Sequence, residues 1–235
     1  MMMHKPHNRI WEIDCLRGLA IIFMVFYHFI YDLNEFYGLP VNYEEGFIYF
    51  TGKAASTLFI LLAGISCSLS KSNFNRGLRL LMIAIILTII TSIAVPGSHI
   101  FFGILHFLAI SILLYPLFHP LHPIPLLIIG TLILAAGPLI NDLALSTNLL
   151  LPLGLTKPDF FSVDYFPLIP YLGLFLYGVS LGKWLYNNKT SRFAYVPLAI
   201  PFIFLGQHSL FIYLIHQPIF LLLHYLFLDS GNLLL

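Results

Sequence analysis

Charged side chains and cysteines are scarce in this chain. Only 9% of the 235 residues are charged, whereas 59% are hydrophobic; a soluble domain carries about 25% charged residues. A soluble core cannot absorb that much apolar surface, so the composition predicts an integral membrane protein. The net charge of +1 gives no indication of nucleic-acid binding. Cys15 and Cys67 lie outside any metal-ligand spacing, and we expect neither a disulfide nor a metal.

Seven apolar runs are long enough to cross a bilayer, which takes roughly 20 residues. They cover residues 13–32, 47–69, 77–95, 100–118, 121–140, 165–186 and 206–228. The segment 193–205 is apolar but short and contains two prolines, so we interpret it as an interfacial or re-entrant approach to the last span. An eighth span is the competing interpretation. The chain is predicted to be an all-α, polytopic transmembrane helical bundle that forms one domain over residues 1–235.

The basic residues set the predicted orientation, because cytoplasmic loops carry an excess of Lys and Arg. With the N-terminus in the cytoplasm, nine of the eleven basic residues lie inside, namely Lys5, Arg9, Arg17, Lys71, Arg76, Arg79, Lys183, Lys189 and Arg192. Most acidic residues then lie on the outer side. We therefore expect a cell-membrane protein with a cytoplasmic N-terminus and two long outer loops, 33–46 and 141–164.

The first span carries ionisable residues on one narrow stripe. At about 100° per residue, Asp14, Arg17, His28 and Asp32 fall within about 60° of one another, while Glu12 points roughly the opposite way. His28 and Asp32 are four residues apart, so their side chains can meet. Ionisable groups at membrane depth usually face the bundle interior. The stripe indicates a catalytic or transport path, with an ordinary helix–helix hydrogen bond at His28 as the alternative.

The same stretch carries a family pattern. R-x-x-E-I-D-x-L-R-G-L-A-I, followed by an apolar helix ending in M-V-F-Y-H-F, resembles the transmembrane acyltransferases. It is similar to the catalytic domain of heparan-α-glucosaminide N-acetyltransferase with its small prokaryotic relatives, and to the opening helix of the acyltransferase-3 family. Further stretches fit the small prokaryotic group: FILLAGIS at 59–66, GILHFLA at 103–109, DYFPLIPYLG at 164–173 and LGQHSLFIYLIHQPI at 205–219.

The resemblance implies a membrane acyltransferase. It would move an acetyl or similar acyl group from cytoplasmic acetyl-CoA to the amine or hydroxyl of an outer-face sugar or glycan. Asp14 and Arg17 match the motif at the cytoplasmic mouth, and His28 matches the histidine of the acyltransferase-3 opening helix. The heparan enzyme looks to use a histidine in the outer loop after this helix, and loop 33–46 has none. Either His28 takes over that role or the chemistry of this branch differs.

Acyl transfer needs a base that takes a proton from the incoming amine or hydroxyl. An imidazole is suited to this near neutral pH, and a neighbouring carboxylate fixes its tautomer. We expect His28 to be the general base, with the role of acyl carrier as the alternative, and Asp32 to orient it.

Two more histidines are catalytic candidates. His106 lies within the fourth span, and His216 lies in the last span beside Gln217 and Pro218. Pro218 removes a backbone donor, which predicts a kink and a pocket wall there. For His106 a structural hydrogen bond is the alternative.

The remaining candidates concern the two substrates. Because coenzyme A carries phosphates, we expect Arg76 and Arg79 to join Arg17 in binding it, although the excess of basic residues in cytoplasmic loops explains them equally well. Asp164 and Glu35 are candidates for binding the acceptor. Asp164 could instead cap a helix, and Glu35 could simply be solvated.

Three rival functions stay open at this point. A proton-coupled transporter would use the same His and Asp residues as a relay, although no internal repeat is visible. A haem or metal protein would use the ten histidines, and a structural membrane subunit would use none of them. For the acyltransferase, the expected partners are the lipid bilayer, acyl-CoA, a glycan acceptor and a second copy of the chain in a homodimer.

Overall fold

The computed structural model describes residues 9–94, 99–143 and 145–231. Over these ranges the chain forms eight α-helices and no β-strand. They are α1 Trp11–Tyr37, α2 Gly46–Leu69, α3 Asn73–Ala94, α4 Ile104–Phe118, α5 Pro123–Asn141, α6 Leu168–Leu185, α7 Ile200–Gln207 and α8 Ser209–Gly231. The predicted all-α class is confirmed.

Five helices in the described part of the chain are long and apolar enough to cross a membrane, and a bent pair raises the number to six. The five segments are Trp11–Glu35, Gly46–Leu69, Asn73–Ala94, Pro123–Ile140 and Leu168–Leu185. The bent pair is Pro197–Gln207 with Ser209–Leu223, and α4 is a shorter apolar helix. The chain is thus a multi-pass membrane protein, and the count of seven spans and the cytoplasmic N-terminus stay predictions.

Helix α4 is shorter than the predicted span 100–118 because the run begins in extended backbone. Residues 99–103 pair side by side with residues 162–166, through a parallel bridge between Phe102 and Tyr165. The Val163 amide donates to the His99 carbonyl at 3.1 Å, and the Phe166 amide donates to the Phe102 carbonyl at 2.8 Å. The helix therefore starts only at Ile104 and has 15 residues.

The last predicted span is interrupted at His208. Helices α7 and α8 meet there at an angle of 68°, so the pair forms either one broken span or a re-entrant loop. The His208 ring lies against the end of α7, with Nδ1 2.8 Å from the Phe204 carbonyl oxygen. Pro218, where the sequence predicted a kink, lies inside the continuous helix α8. The short apolar segment before the last span folds as a 3₁₀ turn, Pro197–Ala199, that leads into α7.

The chain divides into two compact units. The first takes the described residues up to Phe59 and from Thr190 onwards, and the second is Ile60–Lys189. Helix α2 begins in the first unit and ends in the second. The single domain expected over residues 1–235 stays a prediction.

In the first unit, two glycines bring α1 and α7 into close contact. A Cβ atom at Gly18 would overlap the backbone carbonyl of Phe202, and one at Gly206 would overlap the backbone carbonyl of Asp14. Small residues let membrane helices approach closely enough for backbone packing. Gly18 belongs to the opening LRGLA motif and Gly206 to the terminal LGQHS motif, so the two motifs pack against each other.

In the second unit, the end of α2 packs on α6 in the same way. Gly64 faces the backbone of Phe175 and Val179, and Gly178 faces the backbone of Leu61. Small residues at these positions let the two helices approach closely enough for their backbones to pack.

Candidate active site

Helix α1 presents a polar cluster near each end of its stripe, and both clusters belong to the first unit. The N-terminal cluster is built around the buried carboxylate of Asp14. Arg17 Nη1 donates to Asp14 Oδ1 at 2.7 Å, and Arg9 Nη1 lies 3.9 Å from Oδ2. Gln207 Nε2, from the end of α7, donates to Oδ2 at 3.4 Å. Two guanidinium groups against one carboxylate leave the cluster with one positive charge.

Glu12 has a separate structural task. Its buried carboxylate accepts hydrogen bonds from Ser191 Oγ and from the Arg192 backbone amide, each at 2.7 Å. These bonds fasten the loop that leads into α7 to the start of α1. The Glu12 side chain was expected to point away from the stripe on α1, and it binds this loop.

The other cluster contains two histidines from the opposite ends of the sequence. His28 Nδ1 lies 2.9 Å from His216 Nε2. The rings are nearly parallel, with 22° between their planes and 4.9 Å between their centroids. His216 Nδ1 in turn lies 2.6 Å from the backbone carbonyl oxygen of Tyr213. Both imidazoles therefore belong to one hydrogen-bonded line that ends on a carbonyl.

That carbonyl fixes the tautomer of both rings. A carbonyl oxygen can only accept, so His216 Nδ1 carries the hydrogen. Neutral His216 then has its lone pair on Nε2, which accepts from Nδ1–H of His28. Met24 Sδ, 3.0 Å from the same His28 nitrogen, is a weak acceptor and agrees with a hydrogen there. The lone pair of His28 is consequently on Nε2, the nitrogen that can take a proton from a substrate.

Asp32 lies one turn further along α1 and is buried. Gln217 Nε2 donates to Asp32 Oδ1 at 3.4 Å, while Asp32 Oδ2 has no hydrogen-bond partner among the described residues. The expected bond from His28 to Asp32 does not form, because His28 Nδ1 is turned towards His216. Adjacent residues of α8, His216 and Gln217, thus meet residues of α1 that are one turn apart.

His106 lies in the second unit, buried in α4. His106 Nε2 is 3.4 Å from Thr88 Oγ1, and that hydroxyl donates to the Ile100 carbonyl at 2.7 Å. The threonine therefore accepts from Nε2–H, and the lone pair of His106 is on Nδ1. Nδ1 has no hydrogen-bond partner in the part of the chain that the structure describes. The structural hydrogen bond expected as the alternative for His106 is present, and one nitrogen remains available.

Asp164 caps a helix, although not the helix that it precedes. Asp164 Oδ2 accepts from the Ile104 backbone amide at 2.9 Å, at the start of α4. A Cβ atom at residue 103 would overlap the same oxygen, so a larger residue there would displace the Asp164 carboxylate. The carboxylate satisfies one of the four amides that a helix leaves unpaired at its N-terminus. Asp164 therefore has a structural partner before any acceptor is considered.

The basic candidates of α3 differ from each other. Arg76 Nη2 donates to Cys67 Sγ at 3.1 Å, and Nη1 donates to the Ser66 carbonyl at 3.5 Å, so Arg76 ties the start of α3 to the end of α2. Arg79 is exposed, as is Lys71. Exposed cations of this kind suit either a phosphate or the polar membrane surface.

Glu35 ends the α1 stripe and is exposed. Tyr43 of the following loop donates its hydroxyl hydrogen to Glu35 Oε1 at 2.8 Å, and the Tyr43 and Tyr31 rings lie 5.0 Å apart, edge to face. The bond to the Glu35 carboxylate raises the pKa of the Tyr43 phenol above its usual value. Loop 38–45 is thereby folded back onto the end of α1.

Among the residues that the structure describes, no three His, Cys, Asp or Glu side chains form a group that could hold a metal ion.

Comparison with known families matches the chain to the model described as heparan-alpha-glucosaminide N-acetyltransferase, catalytic, over residues 9–218. That range covers most of the 235 residues. The chain belongs to the heparan-alpha-glucosaminide N-acetyltransferase catalytic-domain family. No curated protein and no solved structure matches it.

Membership of this acetyltransferase family confirms the resemblance and, with the apolar helices, fits a multi-pass membrane transferase. The matched range includes both ends of the site, from Arg9 in the N-terminal cluster to His216 and Gln217. It also includes the glycine pair that packs the two motifs together.

Three residues that contact the candidate side chains were not predicted from the sequence: Gln207, Thr88 and Met24. Gln207 follows Gly206 in the terminal motif, so the motif itself was a usable signal for it. Thr88 and Met24 sit in apolar helices where nothing in the sequence distinguishes them from ordinary packing residues.

Proposed function

We propose that this protein transfers an acetyl or similar acyl group from cytoplasmic acyl-CoA to an amine or hydroxyl of a sugar or glycan on the outer face of the cell membrane. His28 acts as the general base. The observation that carries the proposal is the line from His28 through His216 to the Tyr213 carbonyl, which leaves the basic lone pair on His28 Nε2. Family membership supplies the reaction class.

In this mechanism His28 moves one proton. Its Nε2 takes the proton from the acceptor as the acceptor nitrogen or oxygen bonds to the thioester carbon. The carbon–sulfur bond breaks, and the same proton returns to the leaving sulfur. While His28 is protonated, its Nδ1–H donates to His216 more strongly, and this stabilises the charge. His216 thus takes the orienting role that the sequence suggested for Asp32.

The N-terminal cluster is proposed to bind the donor. Its single net positive charge suits a phosphate of coenzyme A, and Asp14 holds the Arg17 guanidinium in place for it. Arg17 and His28 are separated by about 16 Å of helical rise, so the long arm of the donor must reach along α1. In the second unit, Arg79 is a separate candidate for donor binding, whereas Arg76 already serves the α2–α3 junction.

Asp32 is proposed to bind the acceptor. Its Oδ2 lies one helical turn from the base and has no hydrogen-bond partner among the residues that the structure describes. A buried carboxylate oxygen without a partner is costly. An acceptor N–H or O–H would supply that partner and be held beside His28. Glu35 and Asp164 are further acceptor candidates, and His106 is the alternative base in the second unit. Assembly as a homodimer remains part of this proposal.

Proton-coupled transport is the second candidate, because three buried or half-buried titratable groups, His28, His216 and Asp32, lie together within membrane helices. Such groups serve proton relays. A transporter would move the sugar without changing it, and this separates it from the transferase.

The test is turnover in liposomes. The purified protein receives labelled acetyl-CoA with a panel of amino sugars and cell-envelope glycans, and free thiol and labelled acceptor are followed. His28→Ala is compared with His122→Ala, an exposed histidine at the start of α5. We expect acceptor-dependent thiol release that is lost in the first variant and kept in the second. Uptake of unmodified sugar without thiol release would reject the transferase proposal and support the transporter.

A further inference from the structure

An open apolar groove runs along the first unit between α1, α7 and α8. Its volume is about 490 Å³, within the usual range of small-molecule sites of about 300–1,000 Å³. All of its lining residues are apolar, among them Ile22, Val25, Phe26, Phe29, Ile212 and Phe220. Ile22, Phe26 and Phe29 are 38%, 40% and 46% exposed, so the groove is open along its side. A molecule within the bilayer can enter it without passing through water.

The groove shares a wall with the proposed base. The Phe220 ring lies 5.7 Å from the Phe29 ring inside the groove and 6.1 Å from the His216 ring. His216 is hydrogen-bonded to His28. Only the Phe220 ring therefore separates a ligand in this part of the groove from the His216 ring.

A polar site follows directly at one end of the groove. On α1 the groove residues extend from Ile21 to Phe29, about 12 Å of helical rise, and Asp32 lies about 4.5 Å beyond. Asp32 Oδ2 has no hydrogen-bond partner among the described residues. At its other end the groove begins at Ile21, about 6 Å of helical rise after Arg17. The groove and Asp32 together match an amphiphile that has a hydrocarbon chain and a hydrogen-bond-donating head.

We propose that the acceptor is lipid-anchored: its hydrocarbon chain lies in this groove, and its amino or hydroxyl head group reaches His28 and Asp32. This inference rests on the proposed acyl transfer. The donor is the weaker fit to the groove, because the arm that joins its phosphates to the thioester carries polar amide groups, whereas all of the lining residues are apolar. A hydrocarbon chain would also cover aromatic side chains that the first unit leaves exposed.

The experiment compares two acceptors with the same amino-sugar head, methyl glucosaminide and dodecyl glucosaminide, in liposomes containing the protein and acetyl-CoA. Ile22→Trp narrows the groove. Ile86→Trp is the matched control, because Ile86 is an exposed residue of α3 outside the groove. The dodecyl chain also concentrates its acceptor in the bilayer, but that advantage is the same in both variants.

We expect the wild type and Ile86→Trp to prefer the dodecyl acceptor in kcat/KM, and Ile22→Trp to lose about tenfold of that preference, as steric exclusion from an apolar pocket does. An unchanged preference in Ile22→Trp would overturn the inference, since partitioning alone would explain it. So would an equal loss for both acceptors, or a change only in the preferred acyl-CoA chain length.

A second measurement does not depend on turnover. Dodecyl glucosaminide with a diazirine on its chain is photolysed with the protein, and the labelled peptides are mapped. We expect label on residues 21–29, displaced by dodecyl glucosaminide and not by dodecane, which has no hydrogen-bond-donating head group. Such labelling without any turnover would keep the lipid-anchored ligand and reject the transferase. Label spread evenly over lipid-facing helices would reject the groove.

Discussion

His28 and His216 are 188 positions apart in the sequence, yet His28 Nδ1 and His216 Nε2 lie 2.9 Å from each other. One comes from the opening motif and the other from the terminal motif. The same two motifs also meet at Gly18 and Gly206, where a Cβ atom would overlap the facing backbone. Both motifs are therefore parts of one structure, in which close helix packing positions a histidine pair.

The first prediction concerns the bond between the two rings. His216→Leu removes the acceptor of His28 Nδ1–H, and kcat should fall about 10- to 150-fold, because a hydrogen bond to a charged group contributes about 1.5–3 kcal/mol. His216→Gln supplies an oxygen that can accept from His28 and should recover part of the loss. Steady-state acetyl transfer measures both variants. Equal rates for the two would show that His216 does not act through this bond.

The second prediction concerns Asp32. Asp32→Asn keeps an oxygen for Gln217 but removes the negative charge, so KM for the acceptor should rise about tenfold with a smaller effect on kcat. The temperature of unfolding should not fall, because the substitution removes a buried charge that lacks a full set of hydrogen-bond partners. Gln217→Leu is the comparison, and it should lower that temperature. An unchanged KM in Asp32→Asn would remove Asp32 from the acceptor site.

The third prediction separates two tasks at Asp164. Asp164→Ala removes the acceptor of the Ile104 amide and should destabilise the protein by about 0.5–2 kcal/mol, as the loss of a helix cap does. Asp164→Asn keeps an oxygen that can accept the same bond and should restore most of that stability. Thermal unfolding in detergent gives the stabilities, and acceptor KM gives the second reading. A stable Asn variant with a raised KM would add acceptor binding to the capping role, whereas an unchanged KM would leave capping alone.

The fourth prediction tests the contact between the motifs. Gly206→Ala places a methyl group against the Asp14 backbone carbonyl, and the resulting strain should destabilise the protein by about 1–3 kcal/mol. Acetyl transfer should fall as well, because α7 leads directly into α8 and so to His216. Leu210→Ala, at an exposed position of α8, is the control. A Gly206→Ala protein as stable and active as the control would mean that this contact does not position the site.

The sequence predicted the fold class, the membrane setting and the family, because those follow from composition, long apolar runs and local motifs. It also placed Asp14, Arg17, His28 and Asp32 on one face of one helix. It did not predict which residue faces His28, because helical periodicity reports the direction of a side chain and not the identity of the helix opposite. His28 was therefore paired with Asp32, its neighbour along the helix, instead of His216.

Two helix boundaries could also not be predicted from the sequence, for physical reasons. Helix α4 starts at Ile104 because the preceding residues pair with a segment about 60 positions away, where Asp164 supplies the cap. The bend between α7 and α8 lies at His208, where the His208 ring contacts the Phe204 carbonyl oxygen, whereas the sequence predicted a kink at Pro218. At α4 a contact between distant parts of the chain overrides the local pattern, whereas at His208 the contact lies within a single turn.

The most direct test of the central claim is a double-mutant cycle of His28→Ala and His216→Ala in acetyl transfer. If the two imidazoles act as one unit, His28→Ala should lower kcat/KM about 10²- to 10⁴-fold, as loss of a general base does. Adding His216→Ala to that variant should then cost little more, since residues that work together are strongly non-additive. If the losses in kcat/KM from the two substitutions multiply, His28 and His216 contribute independently. That result would contradict the proposal that they act as one hydrogen-bonded pair.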